Sequence, residues 1–384
     1  MEDSLLSQTY WEDPVPDLRL NPGVAHPGPG LEEAIAAEPR LRGHMLFATS
    51  GSGGRPKIVC LSKQGFLTAA DWTNRHLECG REDRWLLALP LFHVGGAGLV
   101  ARARLAGGGL EIYEGRWDAA RFASLAEGSE TTVTSLVPAQ LHDLVVREIP
   151  APSGMRVVVI GGGRLEPGLR ARALRLGWPV RESYGMTETA AQLATQISTG
   201  DPAGWLKVIP GWSVRIEDGQ VWVMGAPLLS AYLQFAADKG EWKWRDPRKE
   251  GGWFATGDCG EIDPQGRLRV KGRVGRVVKI LGELVDLERL DLRLVELCPG
   301  GESVLEAVED PRAGWRIVLV TERDRAEGEE LAVRFNEGVA GFEQVREVRT
   351  VDRLRRSPLG KRLPQSEGMG EGMDPAQAVP DSKA

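Results

Sequence analysis

The apolar run at residues 156–160 constrains the fold of this 384-residue chain more than any other feature. Its core, Val157-Val158-Val159-Ile160, is β-branched throughout and leaves no polar face, which is typical of a strand covered on both sides. The strand runs into Gly161-Gly162-Gly163, and a helical pattern follows over about 167–176. This order predicts a layered α/β domain that binds ligands near the carboxyl ends of its strands.

The same alternation recurs on both sides of that run. Strands are predicted over 85–89, where Pro90 ends the apolar run, over 131–136 and over 180–182. Pro138 suits the first turn of a helix, which is predicted to continue to about residue 147. The first half of the chain therefore predicts a large α/β domain.

The pattern changes near residue 205. Two hairpins are predicted, one pairing 213–216 with 221–223 around Asp218-Gly219, the other pairing 261–262 with 268–270. The block of about 205–272 therefore predicts a small β subdomain. Beyond it we expect a small α+β unit, whose elements are a helix near 286–297, strands near 304–308 and 317–321, a helix near 329–336 and a strand near 345–351.

Composition excludes several classes of protein. The chain has 48 Lys and Arg against 54 Asp and Glu, a net charge of −6, so nucleic acid is not the expected partner. The four cysteines are far apart and form no C-x-x-C pair, which favours a reducing compartment over a disulfide or zinc framework. We read no signal peptide and no membrane span, and we predict a cytoplasmic protein.

A glycine- and hydroxyl-rich loop is the clearest candidate for a binding site. It reads Thr49-Ser50-Gly51-Ser52-Gly53-Gly54-Arg55-Pro56-Lys57. Glycines let backbone N–H groups approach an anion, and the hydroxyls and the lysine add donors, so the loop is suited to phosphates. Pro56 precedes the lysine, which excludes the kinase-type P-loop and favours a return into a strand. The alternative is an ordinary surface turn.

Two further segments carry chemical groups after predicted strands. His93 lies beside glycines in Leu89–Gly96. The alternative is a core histidine whose ring nitrogens form hydrogen bonds within the protein. Glu188 lies in Ser183–Thr189, and its carboxylate suits a hard cation such as Mg²⁺ held against phosphates. The alternative there is a helix N-terminus capped by Thr187 or Glu188.

Three more charged residues lie beside glycines. The Asp258 carboxylate, next to Gly257, is able to accept two ribose hydroxyls. Arg273 and the distant Lys361 each follow a glycine, in what we expect to be loops. Taken singly, each of these cations would be a solvated surface charge.

In this order the segments resemble the acyl-adenylate-forming superfamily, which includes acyl-CoA synthetases, luciferases and the adenylation domains of peptide synthetases. The matching segments are TSGSGGRPK at 49–57, LPLFH at 89–93, SYGMTE at 183–188, TGD at 256–258, GR at 272–273 and LGK at 359–361. The resemblance implies a large N-terminal domain at 1–274 and a small mobile C-terminal domain at 275–364. A tail at 365–384, poor in large apolar residues, is predicted to be disordered.

The resemblance also implies a reaction. A carboxylate attacks the α-phosphate of ATP to give an acyl-adenylate, and the thiol of coenzyme A then displaces AMP. The implied catalytic residues are Lys361, His93 and Glu188, with Glu188 positioning Mg²⁺. The implied nucleotide-binding residues are Thr49, Ser50, Gly51, Ser52, Gly54 and Lys57 at the phosphates, Gly161, Gly162, Gly163 and Tyr184 flanking the adenine, and Asp258 with Arg273 at the ribose. Ser183, Gly185, Met186 and Thr187 are implied to bind the nucleotide as well.

The segments 83–94 and 135–141 look like those of the o-succinylbenzoate–CoA ligases of menaquinone biosynthesis. Such an acid has a second carboxylate that does not react, and Arg102, nine residues after His93, lies where that family places a basic residue. A guanidinium pairs well with a carboxylate, whereas a fatty-acid pocket would leave it unpaired. His93 would line the acyl tunnel or gate the entry of the thiol. The alternative for Arg102 is a solvated surface arginine.

Some positions depart from the superfamily pattern. Gly53, Gly275 and Leu359 replace a usual hydroxyl, a hinge aspartate and a serine, and only 48 residues precede the phosphate loop, so the N-terminal domain is expected to be shortened. Two alternatives stay open: another carboxylate activator, such as an aryl-CoA ligase or a carrier-loading enzyme, and a non-catalytic nucleotide-binding relative. A homodimer is left open as well.

Overall fold

The structure is a computed structural model that describes residues 5–22, 26–50, 56–236, 240–273, 277–280, 283–310 and 313–355. Contacts divide these residues into two compact units. The larger unit runs to residue 270 without residues 257–259, and the smaller unit contains 257–259 and the residues from 271 onward. Each unit is described separately below.

The α-helices of both units are α1 Gln8–Glu12, α2 Leu31–Ala37, α3 Lys63–His76, α4 Val94–Ala106, α5 Ala119–Gly128, α6 Pro138–Val146, α7 Pro167–Arg175, α8 Leu287–Leu297 and α9 Arg325–Asn336. The strands are β1 Asp17–Arg19, β2 His44–Ser50, β3 Pro56–Ser62, β4 Arg84–Leu87, β5 Gly109–Ile112, β6 Val133–Leu136, β7 Val157–Ile160, β8 Val180–Tyr184, β9 Ala194–Thr195, β10 Leu206–Val208, β11 Ser213–Glu217, β12 Gln220–Met224, β13 Ala231–Ala236, β14 Glu241–Arg245, β15 Phe254–Ile262, β16 Arg267–Arg273, β17 Val277–Ile280, β18 Glu283–Asp286, β19 Ser303–Asp310, β20 Gly314–Thr321 and β21 Val345–Thr350.

An eleven-stranded sheet, in the order β11-β12-β15-β16-β10-β9-β8-β7-β6-β4-β5, forms the centre of the fold. The strands from β8 to β5 run parallel to one another. In β7, Val157 and Val159 enter a core shared with α3 and α4, while Val158 and Ile160 enter a second core beneath α5, α6 and α7. The prediction of a layered α/β domain, with this strand buried on both faces, is confirmed.

The predicted strand over 85–89 ends earlier than expected. Strand β4 stops at Leu87, because the Ala88 carbonyl accepts a hydrogen bond from Gln140 Nε2 at 3.0 Å, a side chain from α6. The chain then leaves the sheet as a loop of residues 88–93, which we call the β4–α4 loop. A side chain from a distant helix thus sets a strand end that the local sequence did not indicate.

The block at 205–272 contains the two predicted hairpins, β11–β12 and β15–β16. Asp218 and Gly219 both have positive φ, as expected for a tight hairpin turn. The strands do not form a sheet of their own, which differs from the expected self-contained subdomain. Five of them extend the eleven-stranded sheet, and β13 with β14 completes a five-stranded sheet in the order β1-β2-β3-β13-β14.

The smaller unit has the predicted α+β composition. Strands β19, β20 and β21 form a three-stranded sheet, in which β19 and β20 are antiparallel and β20 and β21 parallel. Helices α8 and α9 contribute Leu290, Leu294 and Phe335 to a core that also contains Ile317 and Leu319. Strands β17 and β18 form a separate hairpin.

Within the ranges that the structure describes, no helix is long and apolar enough to cross a bilayer. The predicted domain limits at 274 and 364 and the predicted tail at 365–384 fall on residues outside those ranges. The domain limits and the tail therefore stay predictions.

Candidate active site

The carboxyl ends of β7 and β8 are neighbours, since Ile160 pairs with Glu182. This register brings Gly161, Gly162 and Gly163, which follow β7, to the same edge of the sheet as Ser183 and Tyr184, which end β8. Gly162 has a φ of 74°, a left-handed conformation that glycine adopts without strain. The Gly161 N–H donates to the Leu136 carbonyl at 3.2 Å, which fixes the start of the turn. Two of the predicted nucleotide-binding segments are thus adjacent.

A tightly folded turn follows β8. The Leu193 N–H donates to the Tyr184 carbonyl at 2.8 Å, so the chain reverses direction within nine residues. At Gly185 a Cβ atom would lie 1.7 Å from the Ala191 carbonyl oxygen, a distance that only glycine avoids. Residues Thr187–Thr189 form one turn of 3₁₀-helix. The alternative of a cap at Thr187 or Glu188 is wrong: the Thr189 hydroxyl accepts from the Met186 N–H at 3.0 Å instead.

Glu188 is the centre of a buried cluster. Its Oε1 accepts hydrogen bonds from Lys57 Nζ at 2.9 Å and from the Tyr232 hydroxyl at 2.9 Å. The Lys57 ammonium also lies 4.1 Å from the centroid of the Tyr232 ring. The three side chains come from the 3₁₀ turn, β3 and β13, and β13 pairs with β3 so that Lys57 lies opposite Gln234. We call them the Glu188 cluster.

Electrostatics keep Glu188 ionised although the residue is only 8% exposed. Burial alone would raise its pKa, but the charge of Lys57 and the hydrogen bonds from Lys57 and Tyr232 outweigh that effect, and the pKa lies below its ordinary value. A buried, ionised carboxylate beside a lysine is thus a charged site that the fold has already assembled.

The phosphate-loop residues flank this cluster in part. Thr49 in β2 pairs with Lys57 in β3, and its hydroxyl donates to the Lys57 carbonyl at 3.3 Å. The return of the chain into a strand after Pro56 is confirmed by β3. Ser50 is the last residue of β2, and the structure does not describe its side chain. The predicted residues Gly51, Ser52 and Gly54 lie outside the described residues.

His93 is the N-cap residue of α4, at the end of the β4–α4 loop. Its ring lies against Phe92, with a centroid distance of 4.7 Å. Nε2 is buried and has no hydrogen-bond partner among the residues that the structure describes, which favours a functional role over the alternative of a core histidine. Burial lowers the pKa of His93, which favours the neutral imidazole.

Arg102 lies two to three turns further along α4 and is only 4% exposed. Its Nη2 donates to the Ser135 hydroxyl at 2.8 Å, its Nε donates to the Gly98 carbonyl at 3.3 Å, and its Cζ lies 5.4 Å from the centroid of the Trp85 ring. Nη1 is buried without a partner in the described part of the chain. The alternative of a solvated surface arginine is wrong.

The charge of Arg102 persists despite its burial. Burial lowers the pKa of Arg102 to about 10, which is still well above neutral pH, so the guanidinium stays protonated. No carboxylate of the described residues forms an ion pair with it, and the contacts with Ser135, Gly98 and Trp85 are to neutral groups. A buried cation of this kind is suited to an anionic ligand.

Helix α4 lies against the end of the turn that carries Glu188. A Cβ atom placed on Gly98 of α4 would lie 3.4 Å from the Ala191 Cβ, just beyond the Glu188 turn. Ala190 and Ala191 both have positive φ, at 52° and 94°, conformations that are uncommon for alanine. Helix α4 and the turn carrying Glu188 are therefore in direct contact, with strained backbone at the junction.

The remaining predicted residues are not brought together here. Asp258 is buried within strand β15 and belongs with the smaller unit, so its place beside Tyr184 stays a prediction. Arg273 is the last residue of strand β16 and not part of a loop, which corrects the expectation, and its side chain is outside the description. Lys361 lies outside the described residues.

Sequence reasoning missed Tyr232, Ser135 and Trp85 as partners of the predicted residues. Tyr232 lies 44 residues from Glu188 and Ser135 lies 33 residues from Arg102. Trp85 and Ser135 lie in the segments 83–94 and 135–141, but those segments do not show that either residue contacts Arg102. Tyr232 lies in the apolar strand pattern of 231–236, and only strand pairing brings it close to Glu188.

Glu188 has the chemistry of one metal ligand. The described residues contain no group of three His, Cys, Asp or Glu side chains placed to hold a metal ion. Mg²⁺ is commonly held by one or two carboxylates together with substrate phosphates, and the ionised Glu188 meets the protein's part of that requirement.

Comparison with known proteins agrees with this geometry. Residues 38–228 match the family described as AMP-binding enzyme. The chain is 31% identical over 319 residues to the 2-succinylbenzoate–CoA ligase of Salmonella typhimurium strain LT2, which covers 81% of this chain and 65% of that relative. It is 29% identical over 333 residues to the enzyme of the same name from Bacillus licheniformis, covering 82% and 68%. Over residues 38–228 the chain is therefore similar to AMP-binding enzymes.

Solved structures give the same result for the fold. The o-succinylbenzoate CoA synthetase of Bacillus subtilis, in complex with its acyl-adenylate intermediate, superposes with a TM-score of 0.73 at 26% identity, covering 85% of this chain and 70% of that one. The same synthetase with ATP and magnesium ion has a TM-score of 0.70 at 26% identity, with coverages of 83% and 68%. The chain spans about two thirds of the length of the curated relatives it matches, 65% and 68% for the two above.

Proposed function

We propose that this protein is an ATP-dependent carboxylate–CoA ligase that acts through an acyl-adenylate. The acid is o-succinylbenzoate, and the product is o-succinylbenzoyl-CoA, an intermediate of menaquinone biosynthesis. Support comes from the relatives named 2-succinylbenzoate–CoA ligase and from the geometry of the site.

The buried guanidinium of Arg102 is the observation that carries the choice of acid. It lies on the helix that begins at His93, retains its charge and has one nitrogen without a described partner. An acid with a second, unreactive carboxylate would neutralise this charge by a charge-assisted hydrogen bond. A monocarboxylic acid with an apolar tail would leave the buried cation uncompensated, which is unfavourable.

The nucleotide would be bound by the segments at the carboxyl edge of the parallel strands. Gly161, Gly162, Gly163 and Tyr184 would flank the adenine, and Ser183, Gly185, Met186 and Thr187 would also contact the nucleotide. Thr49, Ser50, Gly51, Ser52, Gly54 and Lys57 would bind the phosphates, and Asp258 with Arg273 would bind the ribose. Glu188 would hold Mg²⁺, which supplies charge neutralisation for the phosphates.

The reaction proceeds in two balanced steps. A carboxylate oxygen of the acid attacks the α-phosphorus of ATP, the bond to the β-phosphate breaks, and pyrophosphate leaves with the electron pair. The sulfur of coenzyme A then attacks the acyl carbon, the bond from that carbon to the phosphate oxygen breaks, AMP leaves with the electron pair, and the thiol proton is released to solvent. Lys361 would stabilise the negative charge that develops in the first step, and His93 would contact the acyl group or the entering thiol.

A panel of acids tests this function. We expect ATP–pyrophosphate exchange and CoA thioester formation with o-succinylbenzoate, and little of either with benzoate or a fatty acid. Exchange with a different acid would favour another acyl-CoA ligase, and exchange without thioester formation would favour a carrier-loading enzyme. AMP binding without exchange on any acid would favour the non-catalytic relative and contradict the proposal.

A matched pair of variants tests the role of Arg102. Arg102→Met keeps the aliphatic stem but removes the charge, and we expect KM for o-succinylbenzoate to rise by about 10- to 100-fold, since a charged hydrogen bond contributes about 1.5–3 kcal/mol. Arg104→Met, on the same helix, should leave KM within about twofold, in line with other substitutions away from a site. Equal effects of the two changes would contradict a carboxylate site at Arg102.

Location and assembly are part of the proposal. The buried Cys60 and Cys298 are free thiols, which suits the reducing cytoplasm. A homodimer stays a prediction, which light scattering of the purified protein would test by its molar mass.

A further inference from the structure

The β4–α4 loop, residues 88–93, is held by groups from distant parts of the larger unit. Gln140 binds the Ala88 carbonyl at 3.0 Å, and the His93 N–H donates to the Pro90 carbonyl at 3.2 Å. The first turn of α4 lies directly against the loop, because a Cβ atom on Gly96 would lie 2.3 Å from the Pro90 carbonyl oxygen. The next carbonyl, that of Leu91, is bound by a side chain from the start of the chain.

That side chain is Arg19, the last residue of β1. Its Nη1 donates to the Leu91 carbonyl at 3.3 Å, across 72 residues of sequence. Arg19 is only 5% exposed. Leu91 is two residues before His93, so this contact reaches the part of the loop that presents the imidazole.

The guanidinium of Arg19 is itself fixed in place. Its Nε and Nη2 lie 2.8 and 2.6 Å from Asp17 Oδ2, and its Nη2 lies 3.4 Å from the Tyr10 hydroxyl. The Tyr10 hydroxyl donates to the same Asp17 carboxylate. Burial and the Asp17 carboxylate raise the pKa of Tyr10, so the hydroxyl remains a donor. Because the Arg19 guanidinium also contacts Asp17 and the Tyr10 hydroxyl, it has little freedom to move away from the Leu91 carbonyl.

The segment carrying these residues is anchored in turn to α3. Lys63 Nζ donates to the carbonyls of Tyr10, Asp13 and Val15, at 2.9, 2.8 and 3.1 Å. Strand β1 is also paired in parallel with β2, where Arg19 lies opposite Phe47. The contact with Leu91 therefore links the β4–α4 loop to residues 10–19. Lys63 holds one end of this segment, and the pairing of β1 with β2 holds the other.

We propose that Arg19 is a positioning residue for His93. By holding the Leu91 carbonyl, it fixes the β4–α4 loop and keeps the imidazole half-buried at the start of α4. Without this contact the loop loosens and the ring becomes more exposed to water. Arg19 does not touch the substrates; it acts on the reaction through His93, and only the activity readout below rests on the proposed function.

Titration of His93 by NMR tests the proposal without any activity. The five histidines give separable imidazole signals, and loss of one in His93→Ala assigns His93. In the wild type we expect His93 to titrate below its ordinary pKa of about 6.5, because it is buried. In Arg19→Gln we expect the pKa of His93 to rise towards that value. Arg40→Gln, at an exposed arginine paired with Glu38, should leave it unchanged.

Arg19→Lys separates positioning from folding. The ammonium keeps a positive charge beside Asp17, but a single point charge cannot replace the guanidinium fork that reaches both Asp17 and Leu91. We expect its melting temperature to stay close to that of the wild type while the pKa of His93 still rises. An unchanged titration of His93 in both Arg19 variants would overturn the proposal, whatever happens to their stability.

A double-mutant cycle gives the activity readout. We expect Arg19→Gln to lower kcat/KM for thioester formation about tenfold, the effect of losing about 1.4 kcal/mol, in the wild-type background. The same change should have less than about a twofold effect in the His93→Ala background, because residues that act through one another are not additive. Equal effects in both backgrounds would also overturn the proposal. If no acid supports turnover, the proposed function fails, and the NMR titration alone decides the role of Arg19.

Discussion

Two side chains of this protein stay ionised although they are buried. Glu188 and Arg102 are both buried, but they are stabilised differently. Glu188 has a lysine and a tyrosine hydroxyl as partners, whereas Arg102 has only neutral groups. Among the described residues, the first is therefore a compensated charge and the second an uncompensated one. This difference separates a charge that the fold already compensates from one that is suited to an anionic ligand.

The low pKa of Glu188 predicts a pH dependence of stability. A carboxyl group whose pKa is lower in the folded state stabilises the fold above its unfolded pKa of about 4.3, and this contribution is lost as the pH falls through the folded pKa. We expect Glu188→Gln to lower the free energy of unfolding at neutral pH, and the difference from wild type to shrink below about pH 4.3. Urea unfolding over a pH series measures this. Glu114→Gln, at an exposed position, should show no such trend.

Gly185 is constrained by contact and not by a positive φ. We expect Gly185→Ala to destabilise the protein by about 3 kcal/mol, at the upper end of overpacking effects, because the new methyl group would meet the Ala191 carbonyl at 1.7 Å. Gly128→Ala is the control, since a Cβ there meets no atom within 4 Å and alanine favours the helix. Thermal unfolding of both variants measures the difference. Equal melting temperatures would contradict the tight turn after β8.

At the scale of elements, β7 illustrates what a sequence pattern predicts well. Its uninterrupted β-branched run indicated burial on both faces, and the structure divides alternate residues between two cores. Burial of both faces follows from period-two geometry alone, so no tertiary information is needed. The end of β4 and the membership of β13 in another sheet were not predictable, because each depends on a partner distant in sequence.

Alanine substitutions in β7 test this arrangement. We expect Val158→Ala and Val159→Ala each to cost roughly 2 kcal/mol, because each removes methyl groups from a close-packed core. If one face of β7 were exposed to solvent, only one of the two substitutions would lower the stability of the protein. Val333→Ala, where the valine is 61% exposed, should change stability by less than about 0.5 kcal/mol. Denaturant unfolding of the three variants gives the comparison.

At the scale of the whole molecule, charged side chains add to strand pairing and core packing in holding the segment before β2 to the rest of the larger unit. Lys63 is 3% exposed, and its ammonium binds three carbonyls of this segment, while Arg19 connects β1 to the β4–α4 loop. Long polar side chains thus provide contacts between residues far apart in sequence. Sequence patterns do not reveal such contacts, because a lysine or an arginine is most often solvated.

Removing the Lys63 ammonium should loosen that segment alone. In Lys63→Met, which keeps an aliphatic stem of similar length, we expect faster amide hydrogen exchange over residues 8–19 and unchanged exchange in β6 and β7. Exchange measures local opening, which is easiest where few hydrogen bonds hold a segment. Lys243→Met, at an exposed lysine in β14, is the control. Unaltered exchange over residues 8–19 would contradict this prediction, because other contacts would then be enough to hold the segment.

Sequence patterns alone determined the α/β class, the strand β7 and its glycine turn, both hairpins of the 205–272 block, and the candidates Lys57, Glu188 and His93, whereas Arg102 became a candidate only through the family resemblance. These depend on local periodicity, turn chemistry and residue type, which are properties of neighbouring residues. Only the tertiary structure decided that Tyr232 completes the Glu188 cluster, that Arg102 is buried against Trp85 and Ser135, and that Arg19 binds the loop before His93. The physical reason is that burial and charge compensation arise between elements far apart in the chain, where local sequence carries no information about the partner.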